Sequence, residues 1–383
     1  MNPLTGRRTF LGGAAAAVSA ASFSGGPLSA APGDREIRTA HIGIGSRGTA
    51  LLKQVLTQRN VRVAAICDID PKARDAAQSL AHRDNPRSFT EYRRVLELKD
   101  VDAVAIASPC DLHAEMAAAC LDAGKYVYCE KPLGITPEQV DLALKASRRA
   151  KTFLQIGQQL RYMPGLRAVI AQIHNDKVIG TPFVIKAQRH STPVRPEADA
   201  ARPPWYLDPK RSGDLIVENA VHNIDVCNWV ADSRPASAFG HGKRYLPRTV
   251  PAGSIMMDGF SVEYVYENDM HLDYSQLYLH PRALKELANG QWYMVFGEKG
   301  TVNLSNGIFY DITGAAEPRE LIPPDVRDAG ENAMSEFFAC IREGRRPFAG
   351  IEVAATAALT AIMGREAIYG RRMVTWKELG VTL

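Results

Sequence analysis

The stretch from Arg38 to Thr49, Arg-Thr-Ala-His-Ile-Gly-Ile-Gly-Ser-Arg-Gly-Thr, decides the reading of this chain. An apolar run ends at Ile44, the glycines Gly43, Gly45 and Gly48 fall in G-x-G-x-x-G spacing, and helical periodicity begins at Thr49. A glycine-rich turn between a strand and a helix permits the tight turn, the close approach of a pyrophosphate and the packing of helix on strand. It also leaves the helix N-terminus facing the phosphates. Asp68 follows Gly48 by twenty residues, at the end of the next apolar run. A carboxylate at that place accepts ribose hydroxyls and repels a 2'-phosphate, so the expected cofactor is NAD rather than NADP, with Arg47, Lys72 or Arg74 able to soften the preference. Gly43, Gly45, Ser46, Arg47, Gly48 and Asp68 are therefore the first cofactor-binding candidates.

Outward from this turn, apolar runs at Arg38 to Ile44, Arg62 to Cys67, Ala103 to Ala107 and Tyr126 to Cys129 alternate with helical stretches at Thr49 to Gln58, Pro71 to Ala81 and His113 to Ala123. That alternation predicts βαβ units on a parallel sheet over 37–155. Pro71 opens the second helix and Gly124 closes the third. Over 156–383 the texture becomes polar-apolar alternation, at Thr181 to Gln188, Gly259 to Tyr266, Met270 to Leu279 and Trp292 to Phe296. This predicts a mostly antiparallel open sheet in an α+β domain. Helices are expected at Asn332 to Arg342 and Val353 to Tyr369, packing back on the first domain. The Pro-rich stretch Thr192 to Pro209 reads as a loop over the site.

The whole chain has 383 residues and a formal net charge of +4, of which Arg7 and Arg8 supply two positive charges. No stripe of Lys and Arg fit to replace nucleic-acid counterions is present, so nucleic acid is not an expected partner. Residues 1–33 do not read as fold. Thr5 to Leu11 places a twin arginine before an uncharged stretch to Phe23, too short for the about 20 apolar residues of a membrane span. This is the plan of a twin-arginine export signal, with a disordered Ala-rich terminus as the alternative. The expectation is a periplasmic or extracellular protein without a stable membrane anchor. Six scattered cysteines lack C-x-x-C spacing and indicate neither zinc nor a disulfide framework.

Two further segments carry chemistry. Glu130-Lys131-Pro132 follows the fourth apolar strand, at the sheet edge where ligands bind. Lys131 beside a nicotinamide would be desolvated, with a lowered pKa and a proton-handling role, or it is a strand-end surface lysine. Asp214 to Trp229 reads as one helix that sets Glu218, His222 and Asp225 on a single face. Three readings stand for His222: a satisfied buried histidine, a general acid or base oriented by two carboxylates, and a divalent-metal site using all three side chains.

Taken in order, Gly43 to Gly48, Asp68, Ser108-Pro109 with His113, Glu130-Lys131-Pro132, Arg161-Tyr162-Met163-Pro164 and His222-x-x-Asp225 resemble the Gfo/Idh/MocA oxidoreductases, the family of glucose-fructose oxidoreductase and inositol dehydrogenase. The resemblance implies a Rossmann domain joined to a substrate domain with a large open sheet, and a homodimer or homotetramer formed through that sheet. It implies that Lys131 contacts nicotinamide ribose and the reacting hydroxyl, that His222 is the acid/base, and that Glu218 stands where an aspartate is common. It extends the cofactor contacts to Ser108, Pro109, His113, Glu130 and Lys131. No metal is implied. Arg161, Tyr162, Trp205 and Tyr206 are candidates for the sugar side, the last two equally readable as packing aromatics. The expected activity is NAD-dependent oxidation of a secondary hydroxyl on a sugar, glycoside or cyclic polyol. A glycosidase working by transient oxidation, elimination and re-reduction is the alternative, and a catalytically dead NAD-binding sensor is a rival from another class.

Overall fold

The computed structural model describes residues 35–192, 202–246, 256–281, 283–287, 289–323 and 333–383. The expected export leader, the 193–201 part of the Pro-rich stretch and the first residue of the helix expected at Asn332 lie outside them. Six parallel strands form the first sheet, in the order β3-β2-β1-β4-β5-β6. They are β1 (Ile37–Ile42), β2 (Val61–Cys67), β3 (Arg87–Phe89), β4 (Ala103–Ile106), β5 (Tyr126–Cys129) and β6 (Leu154–Ile156), with helices α1 (Ser46–Leu56), α2 (Pro71–Leu80), α3 (Arg93–Leu96), α4 (His113–Asp122) and α5 (Pro137–Arg149) between them. This order is that of a doubly wound dinucleotide fold, whose crevice lies at the carboxyl ends of β1 and β4. β4 and β6 are buried throughout, as strands covered on both faces must be. β3 is three residues long, two of them exposed, which is too short for any period to show in sequence.

The second sheet has nine strands in the order β14-β13-β12-β11-β7-β10-β9-β8-β15. β7 (Pro182–His190) and β10 (His271–Leu277) pair in parallel, and the other ladders, through β8 (Pro235–Lys243), β9 (Gly259–Tyr266), β11 (Gly290–Gly297), β12 (Gly300–Asn303), β13 (Ile308–Asp311), β14 (Arg319–Glu320) and β15 (Val374–Thr375), are antiparallel. In β9, buried Phe260, Val262, Tyr264 and Tyr266 alternate with exposed Ser261, Glu263 and Val265, so one face is covered and the other open.

α6 (Pro164–His174), the short α7 (Pro204–Leu207), α8 (Pro209–Ser212) and α9 (Asp214–Glu218) precede α10 (Val221–Ala231), which packs on β7; α11 (Ala333–Glu343) packs on α1 and, through Phe337, against Tyr128 of the parallel sheet, and the long α12 (Ile351–Gly370) completes the covered face. α12 is apolar on nearly every side because it packs on β8, on α10 and on α5 and β6 of the parallel layer. A Cβ on Gly364 would lie 2.1 Å from the Tyr264 hydroxyl, so glycine is what lets this helix seat against the sheet. All six cysteines are buried and free.

His41, in β1, is fully buried, with no partner for Nε2. Burial pushes its pKa down to about 4. Burial likewise holds His113 and His222 below the ordinary histidine value. An unfolded chain takes up these protons as pH falls below about 6.5, while the native state does not. Stability present above that pH is lost progressively down to about 4, by about 3 kcal/mol for His41 alone. In His41→Leu the loss of unfolding free energy between neutral pH and pH of about 4.5, read from urea titrations, is expected to shrink by about 2 to 3 kcal/mol; an unchanged loss would mean that His41 is not a source of acid sensitivity.

Candidate functional site

Two adjoining cavities open at the carboxyl edge of the parallel sheet. The first, about 490 Å³, is lined by Gly43, Asp68, Ile69, Tyr92, Arg93, Ser108, Pro109, Met116 and Trp205, among others. The second, about 300 Å³, is lined by Arg47, Ala107, Ser108, Cys110, His113, Glu130, Lys131, Gln159, Trp205, Glu218 and His222. Ser108 and Trp205 border both, so an extended ligand can pass from one to the other.

The glycine turn shows how each glycine serves. Gly43 has φ +81, and a Cβ there would lie 2.6 Å from the Ala107 carbonyl oxygen. A Cβ on Gly48 would lie 1.9 Å from the Gly43 oxygen, whereas one on Gly45 meets nothing within 4 Å. Gly43 and Gly48 are thus fixed by close packing, while Gly45 leaves open the surface that a pyrophosphate approaches. α1 begins at Ser46 with no capping side chain and no acid in its first turn. By contrast α2 is capped by Asp70, and α5 by Thr136. The amides of α1 are therefore left for an anion. Asp68 sits at the mouth of the larger cavity, where its carboxylate accepts from the Ile44 amide (2.6 Å) and the Asp70 amide (2.8 Å). These bonds aim the carboxylate while leaving lone pairs for ribose hydroxyls. Of the cations able to soften the preference, Arg74 is engaged with the Asp68 carbonyl at 2.7 Å. Ile69, 84% exposed beside Asp68, gives the cavity an apolar wall for a flat base; a hydrophobic residue after a strand gives no such signal in sequence.

At the inner end, Lys131 Nζ donates to Glu218 Oε1 at 2.7 Å and also to the Glu218 backbone carbonyl. Burial alone would lower the lysine, as its sequence context implies, but the Glu218 carboxylate overrides burial and holds the ammonium above its ordinary value. Burial raises Glu218 in turn, and Lys131 more than offsets that, so the pair stays ionised. The expected depressed lysine pKa is thus corrected: Lys131 is kept charged. Glu218 Oε2, also buried, has no hydrogen-bond partner at bonding distance, and the Tyr206 hydroxyl is turned toward the carboxylate.

His222 is held well below its usual pKa, first by burial and then by the charges of Lys131, Arg189 and Arg47. Its Nδ1 lies 3.0 Å from Gln158 Oε1, an acceptor, which places the proton on Nδ1 and leaves Nε2 as the basic nitrogen. The expected carboxylate-imidazole contacts are absent. Asp214 to Trp229 is not one helix but two, broken at Asn219 and Ala220, and Asp225 points away from His222 to form a buried bidentate pair with Arg161 (2.8 and 2.9 Å). Glu218, His222 and Asp225 therefore do not converge, and among the described residues no group of three or more His, Cys, Asp or Glu is placed to hold a metal.

The same pairing corrects the sugar-side expectation for Arg161, whose guanidinium is used by Asp225 and lies under the Trp229 ring. Tyr162 is buried, its hydroxyl accepting from the Ala349 amide at 3.3 Å, and is equally remote from the cavity. Trp205 lines both cavities and packs edge-on against Tyr206 at 5.8 Å. His113 borders the inner cavity with both ring nitrogens turned to backbone carbonyls, 2.7 Å from that of Pro132 and 2.8 Å from that of Ser108, and the neutral ring that burial favours donates to one of them. It braces one loop against the other. Glu130 accepts from Arg47 at 2.7 Å, and Gly157 makes room for it, since a Cβ there would come within 2.9 Å of its carboxylate. Gln158, Gln159, Arg189 and Tyr278 have no motif to announce them; their place follows from the fold alone.

Two outcomes test this geometry. Asp68→Ala is expected to weaken NADH binding, read by fluorescence titration, and to narrow the gap between NADH and NADPH; an unchanged ratio would remove Asp68 from ribose recognition. In Glu218→Gln burial remains without the opposing carboxylate, so the Lys131 ammonium is expected to lose its proton at lower pH. The limb of the kcat/KM profile that reports it should move toward acid; an unmoved limb would mean that Glu218 does not set the lysine's charge.

Residues 37–158 match the oxidoreductase family with an NAD-binding Rossmann fold, and residues 168–303 match the GFO/IDH/MocA C-terminal domain. Inositol 2-dehydrogenase of Salmonella typhimurium is 29% identical over 214 residues, 55% of this chain and 58% of that enzyme. A glycosyl hydrolase family 109 protein of Stenotrophomonas maltophilia is 34% identical over 176 residues, 44% of this chain and 38% of that protein. The chain thus spans little more than half the length of the first of these relatives and less of the second. The crystal structure of aldose-aldose oxidoreductase from Caulobacter crescentus complexed with glycerol superposes with a TM-score of 0.73 at 19% identity, covering 89% of this chain and all of that one. With the glycine turn, Asp68 and the Lys131 corner now placed, the chain belongs to the Gfo/Idh/MocA oxidoreductase family and carries its NAD-binding Rossmann domain.

Proposed function

We propose that this chain moves hydride between NAD and a carbon bearing a secondary hydroxyl in a sugar, glycoside or cyclic polyol. The observation that carries the reading is the opposed protonation of two side chains on one cavity: Lys131 held as a cation and His222 held neutral. Groups whose environments drive their pKa values apart divide acid and base roles between them. NAD, when bound, supplies the hydride acceptor. The protein's part is to handle the hydroxyl proton. His222 Nε2 takes that proton, Gln158 fixes the tautomer that makes Nε2 the acceptor, and the Lys131 ammonium stabilises negative charge developing on the substrate oxygen. Glu218 keeps Lys131 charged and in place, and Oε2 has capacity to accept from a neighbouring substrate hydroxyl. Trp205 and Tyr206 supply aromatic faces suited to the C-H surface of a ring.

A second reading, net hydrolysis of a glycoside through oxidation, elimination and return of the hydride, is favoured by the stretch shared with the family 109 protein. Export by the twin-arginine segment would favour this second reading slightly, since a bound cofactor recycled within each turnover needs no outside supply, although paired oxidation of one sugar and reduction of another solves the same problem. We also infer a homo-oligomer formed by two copies meeting on the open face of the large sheet, where Phe239, Val265, Phe296 and Tyr310 stand exposed. Among the described residues no helix is long and apolar enough to cross a membrane.

Proton NMR of glycosides incubated with the protein in deuterated water tests the main reading. Keto-sugar in proportion to added NAD is expected, whereas cleavage with deuterium beside the oxidised carbon and no net NADH would transfer the reading to the hydrolase. Lys131→Ala and His222→Ala are each expected to bind NADH while turnover falls by about 100-fold or more; near-normal turnover in either removes that residue from the chemistry.

A further inference from the structure

Ser108 and Trp205 border both cavities, and they come from opposite domains. Among the described residues the larger cavity takes only Trp205 and Arg211 from the second domain; the rest of its wall lies between Ile42 and Met116. Both stand on one short segment, α7 followed by α8. That segment is compact in itself. The Asp208 carboxylate caps α8 by accepting from the Lys210 amide at 2.9 Å, the Asp208 carbonyl accepts from the Ser212 hydroxyl at 2.9 Å, and Leu207 and Ser212 are buried. Gly213, with φ +80, then turns the chain into α9, which carries Glu218.

The segment is tied to the first domain by Arg211, which meets the Asp111 carboxylate with Nε at 3.0 Å and Nη2 at 3.5 Å. Asp111 lies in the 3-10 turn Cys110–Leu112, directly after the wall residues Ser108 and Pro109. Gln139 of α5 braces that turn by donating to the Asp111 carbonyl at 3.1 Å. A dinucleotide with its adenosine ribose at Asp68 and its nicotinamide toward Lys131 runs through both cavities, and so passes the place that Ser108 borders from one domain and Trp205 from the other.

We propose that Trp205 and the Arg211–Asp111 pair form a clasp that holds NAD between turnovers and sets its residence time. This rests on NAD as the cofactor and not on which hydroxyl is oxidised. Trp205 supplies a large, stiff ring at the crossing, and the ion pair keeps α7 and α8 closed on the first domain. The pair is half exposed, hence weak and screened by salt, so the clasp opens by itself to exchange the cofactor. Trp205 is then a positioning residue for the cofactor, a role read from release and separate from stacking on a sugar ring.

The test is NADH release from the loaded protein, followed by stopped-flow loss of NADH fluorescence on adding excess NAD, at sodium chloride of about 0.1 M and about 1 M. Trp205→Ala is expected to speed release about ten-fold or more, and Trp205→Phe to restore most of the retention. Arg211→Met and Asp111→Asn are each expected to speed it about three-fold, with no further gain in the double variant, since both break one contact. Salt should speed release more in the parent protein than in either of these two. Unchanged release in Trp205→Ala overturns the clasp. Should that variant not fold, the two ion-pair variants, which keep the ring, decide alone, and unchanged release in both overturns it. Release that ignores every variant overturns the clasp and leaves NAD as the cofactor, whereas a parent protein that binds no NADH would overturn both.

Discussion

The Lys131 ammonium leaves the end of a parallel strand in one layer and is met in the other by both the carboxylate and the backbone carbonyl of Glu218. Two buried charges are expensive to desolvate, and they are tolerated here because each satisfies the other and because the Glu218 backbone carbonyl accepts from the lysine as well. The consequence reaches into the backbone. In a continuous helix the Glu218 carbonyl would accept from the His222 amide, four residues on. Lys131 takes that carbonyl instead, and the chain breaks at Asn219 and Ala220 before α10 begins. One ion pair thus joins the two domains, ends one helix and sets where the next one starts.

That break decides what His222 and Asp225 do. With α10 rotated relative to α9, His222 faces the cavity at the first turn, while Asp225, three residues on, turns to the buried Arg161. The Arg161 guanidinium is in turn stacked near the Trp229 and Phe348 rings, at 5.1 and 5.6 Å. Asp225 therefore holds the helix rather than the imidazole. Asp214 does the same for α9: with φ +67 it adopts a left-handed backbone, and it is held there by bonds to Leu215, Met257 and the Tyr369 hydroxyl. The reacting side chains are aimed by anchors placed one turn away.

The parallel sheet was legible in sequence because buried strands and capped helices carry local signals: the run to Ile44, Pro71 after Asp70, Gly124 at positive φ. The glycine turn and Asp68 were legible for the same reason, since each acts through its own backbone position. The region around Glu218 was not. Its 3.6-residue period is real on either side of the break, and the contact that interrupts it comes from a lysine 87 residues earlier in the chain. Lys131 was misjudged in the same way: burial can be guessed from a strand end, but the carboxylate that outweighs it is a tertiary fact. Arg161 shows the reverse: an arginine in a familiar motif is structural, held by Asp225.

His222 illustrates how these charges work together. Its neutrality has three electrostatic sources beyond burial, namely Lys131, Arg189 and Arg47. Lys131 and Arg47 are each paired with a carboxylate that the fold supplies, so the cavity keeps these cations in place beside a ring that burial first, and their charge second, holds neutral.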